Sequence, residues 1–163
     1  MTTTTTPLHK VNCPQPGGTS PLISAGGSTH PLIDHVVLEK LREDLYEYEV
    51  WRVFVQNFIT ALPSRIEKLR VALTTGDAVE ARDAVLSLKT ASQMVGAERL
   101  AALALDLEAA QREGIRIADP ALALPRLAVD YLYRIKQRAS QTSHALQTHL
   151  DTARQPRDVV GQP

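Results

Sequence analysis

The chain has 163 residues, 18 acidic against 18 basic side chains and a formal net charge of zero. That length suits one domain with its own core, and the charge balance excludes a global field that would draw nucleic acid or anionic lipid. Aromatic residues make up only 4% while Ala and Leu dominate from about residue 34 onward, so helices packed on helices are expected rather than sheets. Cys13 is the single cysteine, which rules out a disulfide framework within the chain and fits a reducing compartment. The stretch MTTTTTPLHK offers no apolar run for a signal peptide or membrane span, so a cytoplasmic protein is expected.

Residues 1–30 are rich in Thr, Pro, Gly and Ser without apolar periodicity and predict a disordered tail. Residues 151–163 predict a second one, leaving 31–150 for the folded domain. Five helical segments fit between them. The first is short, with Asp34 as N-cap and Val37, Leu38, Leu41 and Leu45 on one face. The second is long and repeats Val50, Phe54, Phe58, Leu62, Ile66, Leu69 and Leu73, with Pro63 inside it. Gly76-Asp77 then stops one helix and caps the next. The third segment turns Ala78, Ala81, Ala84, Val85, Leu88, Ala91 and Val95 inward and ends at Gly96.

The fourth segment follows with Leu100, Leu103, Leu107 and Ala110, and Gly114 closes it. A linker over 115–119 leads to a fifth helix that starts between Pro120 and Pro125 and turns Leu127, Tyr131, Ile135, Ala139 and Leu146 inward. The short connections predict an all-α, up-and-down antiparallel four-helix bundle with an extra short N-terminal helix.

At about 100° per residue, Val79, Arg82, Asp83, Leu86, Lys89, Thr90 and Gln93 cluster on the side of the third helix opposite its Ala and Leu stripe. Leu86 thus sits in the middle of a polar face. Val79, on the same side, extends it into a small apolar strip with charged edges.

The stretch DAVLSLKTASQMVGAERLAALALDLE, Asp83 to Glu108, resembles the motif region of histidine-containing phosphotransfer (HPt) domains. Leu88 and Lys89 match the motif's Leu-Lys pair, and Gly96 to Leu100 match its closing Gly-Ala-Glu-Arg-Leu. PLIDHVVLEKL and FVQNFITALPSRIEKLRVALTTGD are similar to that family's first two helices. The resemblance covers about residues 31–113 and implies an HPt-like bundle in two-component phosphorelay signalling, with a receiver domain or histidine kinase as partner.

The resemblance also implies a departure. Leu86 stands where the family carries its phosphate-accepting histidine, and a hydrocarbon side chain has no nucleophilic nitrogen. Thr90 replaces a small residue, usually Gly, that lets the receiver approach, while the phosphate-neutralising Lys89 is kept. A non-phosphorylatable binding or scaffold domain is the resulting expectation, with Val79, Arg82, Leu86, Lys89, Thr90 and Gln93 as partner-binding candidates. It would be a monomer and not an enzyme, with no catalytic residue, metal or cofactor. Two other readings stay open: an active phosphocarrier using another histidine, and a helical-bundle interaction protein unrelated to phosphorelay.

Each candidate has a plain alternative. Leu86 is read equally as an ordinary exposed leucine, and Lys89 and Glu108 as solvated surface charges. His9 and His30 lie in the tail, and His35 follows a helix cap, where solvent exposure is the default. His144 and His149 are about 140° apart on a helix and make a poor metal pair. None of the five precedes a Leu-Lys pair at the motif spacing. Trp51, with Tyr46 and Tyr48 near it, is expected to pack at the junction of the first two helices.

Overall fold

A computed structural model describes residues 29–154; the expected tails before residue 29 and after residue 154 lie outside the described residues. Five helices follow one another: α1 (His35–Asp44), α2 (Tyr48–Thr75), α3 (Ala78–Met94), α4 (Glu98–Ile117) and α5 (Pro120–Arg154). No strand occurs among the described residues. The neighbours are α2 with α3, α3 with α4, α4 with α5 and α5 with α2, so the four long helices close a square, and α1 lies against α2 and α3. Connections of two or three residues force each long helix to run back along its predecessor.

The local signals explain most boundaries. Asp34 adopts an extended conformation and its carboxylate accepts from the backbone of Val36 at 2.8 Å and Val37 at 3.4 Å, satisfying two donors that a helix start leaves free. Asp77 does the same for Val79 and Glu80 at the start of α3. Gly76 ends α2 in the left-handed region at φ 75°, and a Cβ there would stand 2.7 Å from the Cα of Ala121. A glycine is therefore required both for the turn and for the approach of α5.

The core is one continuous cluster. From α2 it takes Trp51, Val55, Phe58, Leu62, Ile66, Leu69 and Leu73; from α3 Ala81, Ala84, Val85 and Leu88; from α4 Leu100, Leu103, Ala104 and Leu107; from α5 Leu124, Ala128, Ile135, Ala139 and Leu146. Leu38 joins it from α1. Alanines let the helices approach closely, and the leucines fill the space between them.

Three expectations change. The α2 stripe begins at Trp51 and Val55, not at Val50 and Phe54: Trp51 is fully buried whereas Val50 is exposed and Phe54 half-buried. The larger apolar surface of Trp is the one withdrawn from water. Gly114 does not end α4, which continues to Ile117. A Cβ there would meet the Ala123 side chain of α5 at 3.4 Å, an ordinary contact, so neither the backbone nor the packing requires glycine at this position.

Helix α5 starts at Pro120, with the Asp119 carboxylate accepting from Ala121 N at 2.8 Å, and keeps Pro125 inside its early turns. It also runs to Arg154, past the expected limit at residue 150. Pro63 lies within α2 on the exposed side, where the missing backbone donor costs least.

Candidate functional site

The α3 helix buries Ala81, Ala84, Val85, Leu88 and Ser92, and the 3.6-residue repeat leaves the opposite side to solvent. Val79 is 71% exposed; Arg82, Asp83, Thr90 and Gln93 are exposed too, and Leu86 is half-buried and outside the core cluster. The six candidate residues therefore share one surface. They do not share one state.

Lys89 is the exception. Its Nζ donates to Glu108 Oε2 of α4 at 2.5 Å, and the two side chains are only 19% and 17% exposed. Arg112, one turn further along α4, donates to the other carboxylate oxygen at 3.2 Å. The Lys89 hydrogen bond holds the Glu108 carboxyl below its ordinary range; burial works against this, while the charges of Lys89, Arg112 and Arg82 reinforce it. Lys89 is thus a fastener between α3 and α4, not a free surface cation. The expectation of a solvated Lys89 and a solvated Glu108 is corrected accordingly.

The sequence offered half of this arrangement. Glu108 and Arg112 stand four apart on one helix, a spacing that pairs charges. The Lys89 contact spans two helices and depends on their relative rotation, which no local pattern encodes.

Beside the pair, a cleft of about 370 Å³ opens between α3 and α4, lined by Ala78, Arg82, Glu108, Gln111, Arg112 and Ile115. Gln111 is 4% exposed and its side-chain amide donates to the Ala81 carbonyl at 3.4 Å, closing the cleft's floor. On the α2 side of α3, Arg65 donates to the Ser87 hydroxyl at 2.8 Å.

Helices α2, α3 and α4 contain no histidine. His30, His35 and His144 are exposed, and His9 lies outside the described residues. His149 is half-buried, its ring 5.7 Å from that of His35 and 5.8 Å, edge to face, from Trp51. Burial and the neighbouring His35 push the His149 pKa down, against the pull of Glu39. The relevant partner of His149 is therefore His35, across from α1, and not His144. Tyr48 packs beside Trp51 at 5.7 Å as expected, but Tyr46 is 95% exposed and packs nothing. No group of three or more His, Cys, Asp or Glu side chains among the described residues can hold a metal ion. No described helix is long and apolar enough to cross a membrane.

Two solved structures share this architecture. Histidine-containing phosphotransfer protein B (HptB) from Pseudomonas aeruginosa PAO1 superposes with a TM-score of 0.62 at 24% identity, covering 75% of this chain and 96% of that one. The HPT domain of the Hpt sensor hybrid histidine kinase from Shewanella gives 0.54 at 16% identity, covering 74% and 95%. Both likenesses speak to the fold alone. No curated protein matches the chain. The model of the Hpt domain family matches residues 53–156, which takes in α3, α4 and α5 and nearly all of α2, and the chain belongs to that family.

Proposed function

We propose that this chain is a phosphorelay module that docks a receiver domain or a histidine kinase without carrying the phosphoryl group itself. One observation carries the reading: Leu86, the position that the motif resemblance implies for the acceptor, lies on the outer face of α3, and the nearby Lys89 is engaged by Glu108. A leucine has no lone pair for attack on phosphorus. A lysine already bonded to a carboxylate is a poor counter-ion for an incoming phosphoryl group. Val79 and Leu86 supply the apolar part of the docking face, Arg82, Thr90 and Gln93 its polar rim. On this reading the protein is a monomeric, cytoplasmic binding module and not an enzyme.

The direct test is incubation with a phosphorylated receiver domain or an active hybrid kinase, followed by mapping of acid-labile, alkali-stable phosphate. The expected result is none on this chain; phosphohistidine at any of its five histidines overturns the reading. The docking face has its own test. Leu86→Asp weakens receiver binding by at least about 2 kcal/mol, the scale of an interface hot spot, while helicity is unchanged. Arg82→Ala costs less and mostly at low salt, as rim charges do. Binding by Leu86→Asp equal to the parent's excludes this face as the docking surface.

A further inference from the structure

The distribution of charge over this neutral chain is uneven. Among the described residues, Arg42, Arg52, Lys68, Arg70, Lys89, Arg112 and Arg116 each lie within ion-pair distance of a glutamate. Arg126, Arg134, Lys136 and Arg138 of α5 have no such partner, nor do Arg99 on α4 and Lys40, Arg65 and Arg82 elsewhere. Over residues 120–150, α5 carries Arg126, Arg134, Lys136 and Arg138 against a single acid, Asp130.

Three of these unpaired arginines line a common cleft. Arg99 of α4 and Arg134 and Arg138 of α5 line one small cleft of about 80 Å³, with Gln137 between the α5 arginines and Asp106 of α4 as its one acid. Among the described residues each arginine has one polar or ring contact, and its other N–H groups have no protein acceptor. Arg99 Nε donates to the His30 carbonyl at 2.7 Å, Arg138 Nη1 donates to Gln141 Oε1 at 2.9 Å, and Arg134 lies 5.5 Å over the Tyr131 ring. Like charges brought together across a helix groove repel one another and disfavour the fold unless an anion answers them.

We propose that this α4–α5 cleft binds a small dianionic oxyanion of the phosphate class. The lining carries three positive charges against one negative, which a phosphate dianion neutralises. Guanidinium forks match tetrahedral oxyanions with paired N–H donors, and Gln137 adds a neutral donor. The volume suits one phosphoryl group and not a nucleotide. Asp106 sets the limit on affinity, since its carboxylate repels the ligand. The site stands on its own residues, one face round the bundle from α3, and does not depend on the docking role proposed for Leu86.

The experiment is a titration of the ¹⁵N-labelled full chain with inorganic phosphate at constant ionic strength, with sodium chloride as the compensating salt. Saturable shifts are expected at the Nε–Hε groups of Arg99, Arg134 and Arg138. Arg138→Gln weakens binding about tenfold, the loss of one charge-assisted fork, whereas Arg126→Gln, on the same helix outside the cleft, leaves it unchanged. Asp106→Asn tightens binding several-fold, a gain that no structural defect would produce. Circular dichroism confirms the helicity of each variant. A phosphoserine tripeptide run in parallel assigns the source: saturation by both probes supports a protein-borne phosphoryl group, and saturation by inorganic phosphate alone supports a free anion. Shifts that do not saturate, or that respond equally to Arg126→Gln and Arg138→Gln, overturn the site.

Discussion

Helix α4 borders two surfaces that differ in whether their charges are paired. Toward α3, Glu108 pairs with the largely buried Lys89 and with the exposed Arg112. Toward α5, Arg99 joins Arg134 and Arg138 in a cleft whose only acid, Asp106, is not within ion-pair distance of any of them. A formal charge of zero says nothing about either surface, because Coulomb energy depends on which charges the helices bring within a few ångströms. The first surface resembles a joint in the structure. The second resembles a receptor for a missing charge.

Both surfaces depend on the buried side of α4, and breaking that side gives the largest expected effect. Leu107 is fully buried beside Glu108, and Leu107→Ala costs about 2–5 kcal/mol in urea unfolding, as for other leucines deleted from close-packed cores. The loss is seen by probes on α3 and α5 alike; transitions that separate would mean that the two surfaces do not share one cooperative scaffold.

Next comes the joint itself. Glu108→Ala strands Lys89 in a partly buried position and costs about 1–2 kcal/mol. The pH dependence sharpens this. The folded carboxyl titrates below its ordinary value of 4.5, so on acidification the unfolded chain takes up the proton first. The contribution of Glu108 is complete above that ordinary value and is lost as pH falls through the lowered folded one. Glu108→Gln removes this component of the acid limb; an unaltered limb would show that the pair does not shift the carboxyl.

The smallest effect belongs to the other side of α4. Asp106→Ala changes stability by no more than about 0.5 kcal/mol, as expected of an exposed charge without a partner. A destabilisation approaching that of Glu108→Ala would mean that Asp106 holds the cleft's arginines in place, and the contrast between the two surfaces would disappear.

Much of the scaffold was legible because its signals are local. The Asp34 and Asp77 caps, the Gly76 stop and the inner stripe of α3 each depend on residues within one or two helical turns. The phase of the outer face of α3 followed from that stripe. Where two local patterns competed, sequence reasoning chose wrongly: Val50 and Trp51 begin equally good periodic series, and only the arrangement of the neighbouring helices selects Trp51. Gly114 looked like a stop because glycine is common after helix ends, whereas here it lies inside α4, which runs on to Ile117.

The candidate site was legible as a list of residues on one face, not as an arrangement. The Lys89–Glu108 contact, the His35–His149–Trp51 cluster and the arginine cleft each join separate helices, and each depends on packing angles that periodicity does not contain.

The clasp at Asp34 has a mechanical consequence. Its carboxylate caps α1, its backbone N–H donates to the Gly96 carbonyl at 2.7 Å, and its own carbonyl oxygen occupies the place, 2.6 Å away, where a side chain at 96 would begin. The first turn of α1 and the bend between α3 and α4 are therefore held together both by a hydrogen bond and by close packing. The His35 ring, at the start of α1 and 5.7 Å from that of His149, therefore lies on a segment tied to the α3–α4 bend.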